Sequence, residues 1–160
     1  MMKQKYIPLF VIVLLPFAAI LNGCEESKSG GSGAIDLGRG EPNIVESVLA
    51  ISVHEDRPDG ITDTFSAEVN DQVYLWLLWE NIEESHTVEV SWFSPEDDLD
   101  DPPFWNEKRT ISSTTGEKIT WFYIDAPTGG LSGDQFATGE WFVEIFLDGL
   151  FERSHLFYVE

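Results

Sequence analysis

Apolar and polar residues alternate with a period near two along most of residues 44–160, and Gly, Pro, Asn and Asp break the alternation at short intervals, which is the pattern of pleated strands joined by turns. Residues 44–54 put Val45, Ser47, Leu49, Ile51 and Val53 on one parity, ahead of the turn-forming run Glu55-Asp56-Arg57-Pro58-Asp59-Gly60. Residues 72–80 are apolar on both parities, with Val73, Leu75, Leu77 and Trp79 opposite Tyr74, Trp76 and Leu78, so they predict a central strand covered on both faces. In residues 87–93, Val88, Val90 and Trp92 are predicted inward and Thr87, Glu89 and Ser91 outward. Residues 104–111 alternate weakly and residues 118–124 clearly; with Ser112-Ser113-Thr114-Thr115-Gly116 between them, they read as a hairpin. Trp141, Val143, Ile145 and Leu147 lead into Asp148-Gly149 and a further strand over 151–159, which predicts a type I′ hairpin.

No convincing amphipathic helix interrupts these segments, so the fold class is all-β. About seven antiparallel strands in about 117 residues match the size and spacing of an immunoglobulin-like β-sandwich. A lipocalin-like barrel is the alternative, and about 117 residues are few for eight strands around a ligand cavity. The segment Gly139-Glu140-Trp141-Phe142-Val143-Glu144-Ile145-Phe146-Leu147-Asp148-Gly149 resembles the last hairpin of Ig-like and fibronectin-III-like modules on bacterial surface proteins, where Gly-x-Trp-x-Val precedes an Asp-Gly or Asn-Gly turn. The resemblance covers the closing hairpin alone. It implies an adhesive or scaffolding module without naming a ligand.

Upstream, Met1-Met2-Lys3-Gln4-Lys5 is a positive head, and residues 6–21 form a nearly unbroken apolar run with Pro8 and Pro16, the layout of a secretory signal. The run falls short of the ~20 residues that cross ~30 Å of hydrocarbon. Leu21-Asn22-Gly23-Cys24 follows at once and resembles the lipobox of bacterial lipoproteins. That resemblance implies diacylation of the Cys24 thiol, cleavage before Cys24 and acylation of the freed amine, hence a membrane anchor made of lipid such as palmitate. Several acyl chains, at ~0.8 kcal/mol per buried methylene, make such attachment effectively permanent. Glu25 and Glu26, not Asp, follow the cysteine; by the sorting habit of lipoproteins in two-membrane bacteria this points to the outer rather than the inner membrane. The chain thus divides into a signal peptide over 1–23, a lipidated cysteine with a flexible Gly/Ser-rich linker over 24–43, and the sandwich over 44–160. A Gly-rich coil of that length spans roughly 25 Å, enough to lift a domain clear of lipid headgroups.

Charge and composition narrow the chemistry. Asp and Glu number 29 against 9 Lys and Arg, a formal charge of -20, which opposes nucleic acid and anionic lipid. One cysteine allows neither an internal disulfide nor a Cys-rich metal site. Glu96-Asp97-Asp98-Leu99-Asp100-Asp101 reads first as a solvated acidic loop. If it holds a hard cation such as calcium, Asp97, Asp98, Asp100 and Asp101 are its ligands, although the Gly and distal Glu of the twelve-residue calcium loop are missing. No other cofactor is expected. Six tryptophans are more than a two-sheet core readily hides. Phe93, Phe142 and Phe146 could therefore form an exposed aromatic strip, and Trp105, read as a loop residue, is a candidate contact residue.

His54, His86 and His155 stand in no catalytic spacing. Neither Glu83 and Glu84 beside His86 nor carboxylate pairs such as Glu89 and Glu144 are specific enough to mark a site. The expectation is a non-enzymatic, lipid-anchored envelope protein that presents its domain for protein interaction, adhesion or scaffolding. A carbohydrate-binding surface module is the alternative, and a hydrolytic enzyme a more distant one.

Overall fold

The computed structural model describes residues 40–97, 102–127 and 135–160. Among them the chain forms strands β1 (Asn43–His54), β2 (Arg57–Ile61), β3 (Thr64–Phe65), β4 (Gln72–Ile82), β5 (His86–Phe93), β6 (Trp105–Ile111), β7 (Gly116–Asp125), β8 (Gly139–Leu147) and β9 (Leu150–Val159), with no helix. They make two sheets, one ordered β2-β1-β4-β7 and the other β3-β9-β8-β5-β6. All pairings are antiparallel except β3 with β9.

The inward parities meet as the alternation predicts. Val88, Val90 and Trp92 of β5, Trp141, Val143 and Ile145 of β8 and Phe157 of β9 pack against Val73, Leu75, Leu77 and Trp79 of β4 and Phe122 of β7. Each large side chain so buried stabilises the fold by about 1.5–3 kcal/mol. Trp141 lies edge-on to Phe104 and Phe136 at ring-centroid distances of 5.2 and 5.5 Å, and Phe157 edge-on to Trp92 and Phe65 at 6.1 and 5.6 Å, an arrangement aromatic quadrupoles favour. The β8–β9 turn places Asp148 and Gly149 at φ 51° and 82°, both in the left-handed region that a type I′ turn requires.

Four expectations are corrected. Residues 104–111 and 118–124 are not a hairpin: β6 pairs with β5 and β7 with β4, so residues 112–115 cross from one sheet to the other. The run 55–60 is not all turn; Glu55 and Asp56, at φ 49° and 60°, turn the chain and Arg57 pairs back with His54. Pro58 and Gly60 are tolerated there because β2 is an edge strand. A bulge between Ile44 and Glu46 shifts the parity of β1, so Ile44 enters the core along with Leu49 of the opposite parity and Val45 stays 45% exposed; Ile51, on the parity of Leu49, is also 45% exposed. Finally, β4 is covered only in part on its outer face: no third layer exists among the described residues, Tyr74 and Leu78 are half-buried, and Trp76 between them is buried, its Nε1 donating to the Asp56 carbonyl at 2.7 Å. β1 begins at Asn43, and Asn81 Nδ2 donates to the Glu41 carbonyl at 3.2 Å, so residues assigned to the end of the linker already pack on the sandwich.

Candidate functional site: the open edge between β6 and β7

Residues directly opposite in an antiparallel pair share a face. Trp105, Glu107 and Arg109 lie opposite Trp92, Val90 and Val88, all core residues, so β6 carries charged residues at core-facing positions. Of that parity Ile111 alone is buried. Because β6 and β7 are each the last strand of their sheet, these groups line an open side of the sandwich.

Arg109 holds the two edges together. Its Nη1 donates to the Trp121 carbonyl of β7 at 3.0 Å and its Nη2 to Glu107 Oε1 at 2.6 Å, while the guanidinium carbon sits 4.8 Å from the centroid of the Phe122 ring, a cation–π contact. Next to this tie is a cleft of about 910 Å³, within the range of ~300–1,000 Å³ typical of ligand sites. Phe104, Trp105 and Tyr123 supply its rings and Asp71, Glu107, Arg109 and Asp125 its charges. The Ala126 N–H donates to the Asp71 carbonyl at 2.8 Å, which fixes the approach of residues 125–127 to the start of β4.

Trp105 is thus in a strand and not a loop, and at 52% exposure it is the one expected contact residue that reaches the cleft. Phe93 and Phe142 do lie on the outer face of the five-stranded sheet, stacked at 4.3 Å with their planes 7° apart. Phe146 packs instead edge-on to Phe151 at 5.8 Å, two positions along β8 beyond Glu144, so the strip is two separate pairs. Asp97 Oδ2 accepts the Ser94 N–H at 2.7 Å in a local turn. Asp98, Asp100, Asp101 and Cys24 lie outside the described residues. Among the described residues no group of three or more metal-ligating side chains occurs.

A second aromatic surface was missed in the sequence because β4 was expected to be covered. On the outer face of the four-stranded sheet the Tyr74 ring lies 5.4 Å from Tyr123 and 6.2 Å from Trp121. Tyr74 Oη donates to Gln72 Oε1 at 2.6 Å, and Gln72 Nε2 to Asp125 Oδ1 at 2.7 Å. Burial first, and then the charges of Tyr123 and Asp125, push the Tyr74 hydroxyl above its ordinary pKa.

The histidines stand apart from the cleft. His86 Nδ1 contacts Asp148 Oδ2 at 2.7 Å at the β8–β9 turn. His155 Nε2 meets Ser47 Oγ at 2.5 Å, and Arg153 donates to the same hydroxyl at 3.2 Å and to the Ile44 carbonyl at 3.3 Å. This cluster ties β9 to β1 on the side opposite the cleft. Glu89 is held by Lys108 at 3.0 Å and Asn106 at 2.9 Å, and these hydrogen bonds, Lys108's foremost, lower its pKa.

No family model matches the chain, and no curated protein matches it. Among solved structures it is similar to the alkylpurine DNA glycosylase AlkC of Pseudomonas fluorescens bound to DNA containing an abasic site analog, with a TM-score of 0.50 and 8% identity over 75% of this chain. The match spans 30% of that chain, and at this identity the likeness is one of fold.

Proposed function

We propose that this chain is a lipid-anchored protein of the bacterial envelope, cleaved before Cys24, held by acyl chains on that residue and presenting an immunoglobulin-like sandwich to a protein partner at the outer membrane. The observation that carries the recognition role is the cleft at the β6–β7 edge, where an exposed tryptophan and charged residues occupy positions that a sandwich ordinarily fills with core. The role proposed is binding, which the ring surface of Phe104, Trp105 and Tyr123 and the tie of Glu107 to Arg109 support. The anchor rests on the sole cysteine standing directly after the apolar run in Leu21-Asn22-Gly23-Cys24.

Metabolic labelling with radioactive palmitate tests the anchor. The native precursor should take up label, be cleaved before Cys24 and sediment with membranes, and Cys24→Ser should lose label and cleavage; a labelled Cys24→Ser protein, or one that matures at the same bond and still partitions with membranes, overturns it. A second reading, a carbohydrate-binding face, is favoured by the Tyr74, Trp121 and Tyr123 row with Gln72 and Asp125 beside it, because rings flanked by planar polar groups can stack on and hydrogen-bond a sugar. It requires that Trp121→Ala abolish retention on a polysaccharide column, and equal retention of both proteins rejects it.

A further inference from the structure

We infer that the cleft between β6 and β7 recognises a basic, extended polypeptide segment, a stretch of partner protein bearing Lys or Arg side chains. This rests on the recognition role proposed above and specifies the ligand of that same cleft. Three features converge on it.

The first is charge left over inside the cleft. Among the described residues Asp71, Glu107 and Asp125 share the cleft with a single cation, Arg109, and Glu107 engages that cation directly. Among the described residues neither of the other two carboxylates has a cationic partner: Asp125 accepts from the neutral Gln72, and Asp71 is tied in by its main-chain carbonyl, which accepts the Ala126 N–H. An uncharged ligand that displaced water from these carboxylates would leave their desolvation uncompensated, whereas an ammonium or guanidinium would offset it. An anionic ligand would face both the carboxylates and the field of a chain carrying -20, and Arg109 is already committed to Glu107, Trp121 and the Phe122 face.

The second is the ring surface. Trp105 from β6 and Tyr123 from β7 come from opposite edges of the same cleft, and a cation over an aromatic face gains about 0.5–2 kcal/mol as it is desolvated. The third is the backbone. β6 and β7 both end their sheets, so each presents main-chain N–H and C=O groups on its open side, apart from the Trp121 carbonyl that Arg109 already engages. An extended peptide can pair with such an edge and project alternate side chains into the cleft. A sugar's hydroxyls can hydrogen-bond these carboxylates but leave their charge unpaired, and a sugar makes no use of the strand edge.

The test is a titration of the full chain in detergent, followed by tryptophan fluorescence, with a twelve-residue Lys-Thr repeat peptide. Controls are the same peptide with acetylated lysines, a Glu-Thr repeat and cellohexaose. The Lys-Thr peptide should bind and the controls should not. Trp105→Ala, which changes no charge, and the pair Asp71→Asn/Asp125→Asn should each weaken binding about tenfold, read by peptide anisotropy where Trp105 is absent. The pair Asp59→Asn/Glu80→Gln removes the same charge from exposed sites that do not line the cleft and should weaken it less than about twofold. Equal losses from the two pairs would mean attraction to the acidic body at large and would overturn the inference. So would an unaffected Trp105→Ala protein, or binding of cellohexaose in place of the basic peptide. Because the titration is done in detergent, anchoring at Cys24 does not enter it. Cellohexaose binding lost in Trp105→Ala would leave the recognition role of the cleft standing while removing this ligand. Failure of every probe, with no effect of Trp105→Ala, would remove both.

Discussion

A buried indole N–H costs stability when it lacks an acceptor, and the core contains both cases. Trp79 Nε1 donates to Thr120 Oγ1 at 2.9 Å, while Trp92 Nε1, equally buried, has no partner among the described residues. Trp79→Phe and Trp92→Phe remove the same ring atoms, but the first also breaks a buried hydrogen bond and strands a hydroxyl. Trp79→Phe should therefore cost about 1 kcal/mol more in urea denaturation, and equal costs would refute this account. At His155, burial first and then the charge of Arg153 hold the imidazole below its ordinary pKa. The unfolded chain then binds the proton more readily, so folding stability is lost as pH falls below about 6.5. His155→Gln keeps a hydrogen-bonding group for Ser47 and should lose less stability than the native chain between about pH 7.5 and about pH 5.5; identical losses in the two proteins would exclude His155 as the cause. Trp79, Trp92 and Trp141 were legible as core residues because parity alone decides their face. Glu107 and Arg109 were not, because their charge made 104–111 look like a poor strand. That weakness was itself the available signal: alternation was kept, and the core parity was polar.

The β8–β9 hairpin shows what a short segment can specify. Gly149 sits at φ 82°, and an added Cβ there would touch nothing within 4 Å, so any penalty on Gly149→Ala comes from the backbone alone. It should be about 1–2 kcal/mol by chemical denaturation; a neutral substitution would show that the turn can adopt another type. Asp148 secures the same turn: its Oδ1 accepts the Thr87 N–H at 2.7 Å. That bond first, and His86 second, lower its carboxyl pKa. The stabilisation is present above the ordinary carboxylate pKa of about 4 and is lost as pH falls through the lowered value. Asp148→Asn should accordingly be less stable than the native chain near neutral pH and indistinguishable from it in acid. This hairpin was readable because Asp-Gly dictates its turn within a few residues. The partners of β6 and β7 were not, because a period of two fixes which face a side chain takes and says nothing about which strand lies alongside. β2 was missed for a related reason, since Pro and Gly mark a turn equally well as an unpaired edge.

Over the whole molecule, acidic residues outnumber basic ones by 29 to 9, so folding gathers repelling charges. Raising NaCl from about 10 to about 150 mM shortens the screening length from about 30 to about 8 Å and should raise the melting temperature measured by calorimetry; an unchanged temperature would mean that the charges stand too far apart to matter. Two layers and an all-β class followed from the alternation. The cleft did not, because it forms where edges remote in sequence come together.

The parallel pairing of β3 with β9 has a consequence for synthesis. Phe65 accepts the Glu160 N–H at 2.9 Å, Ala67 donates to the Glu160 carbonyl at 2.9 Å, and Phe157 and Val159 fill core positions. A nascent polypeptide therefore lacks one seam of its sheet until residues 157–160 leave the ribosome. Up to that moment Phe157 and Val159 are missing from the core, and a polypeptide released before them leaves β3 without a partner and cannot close.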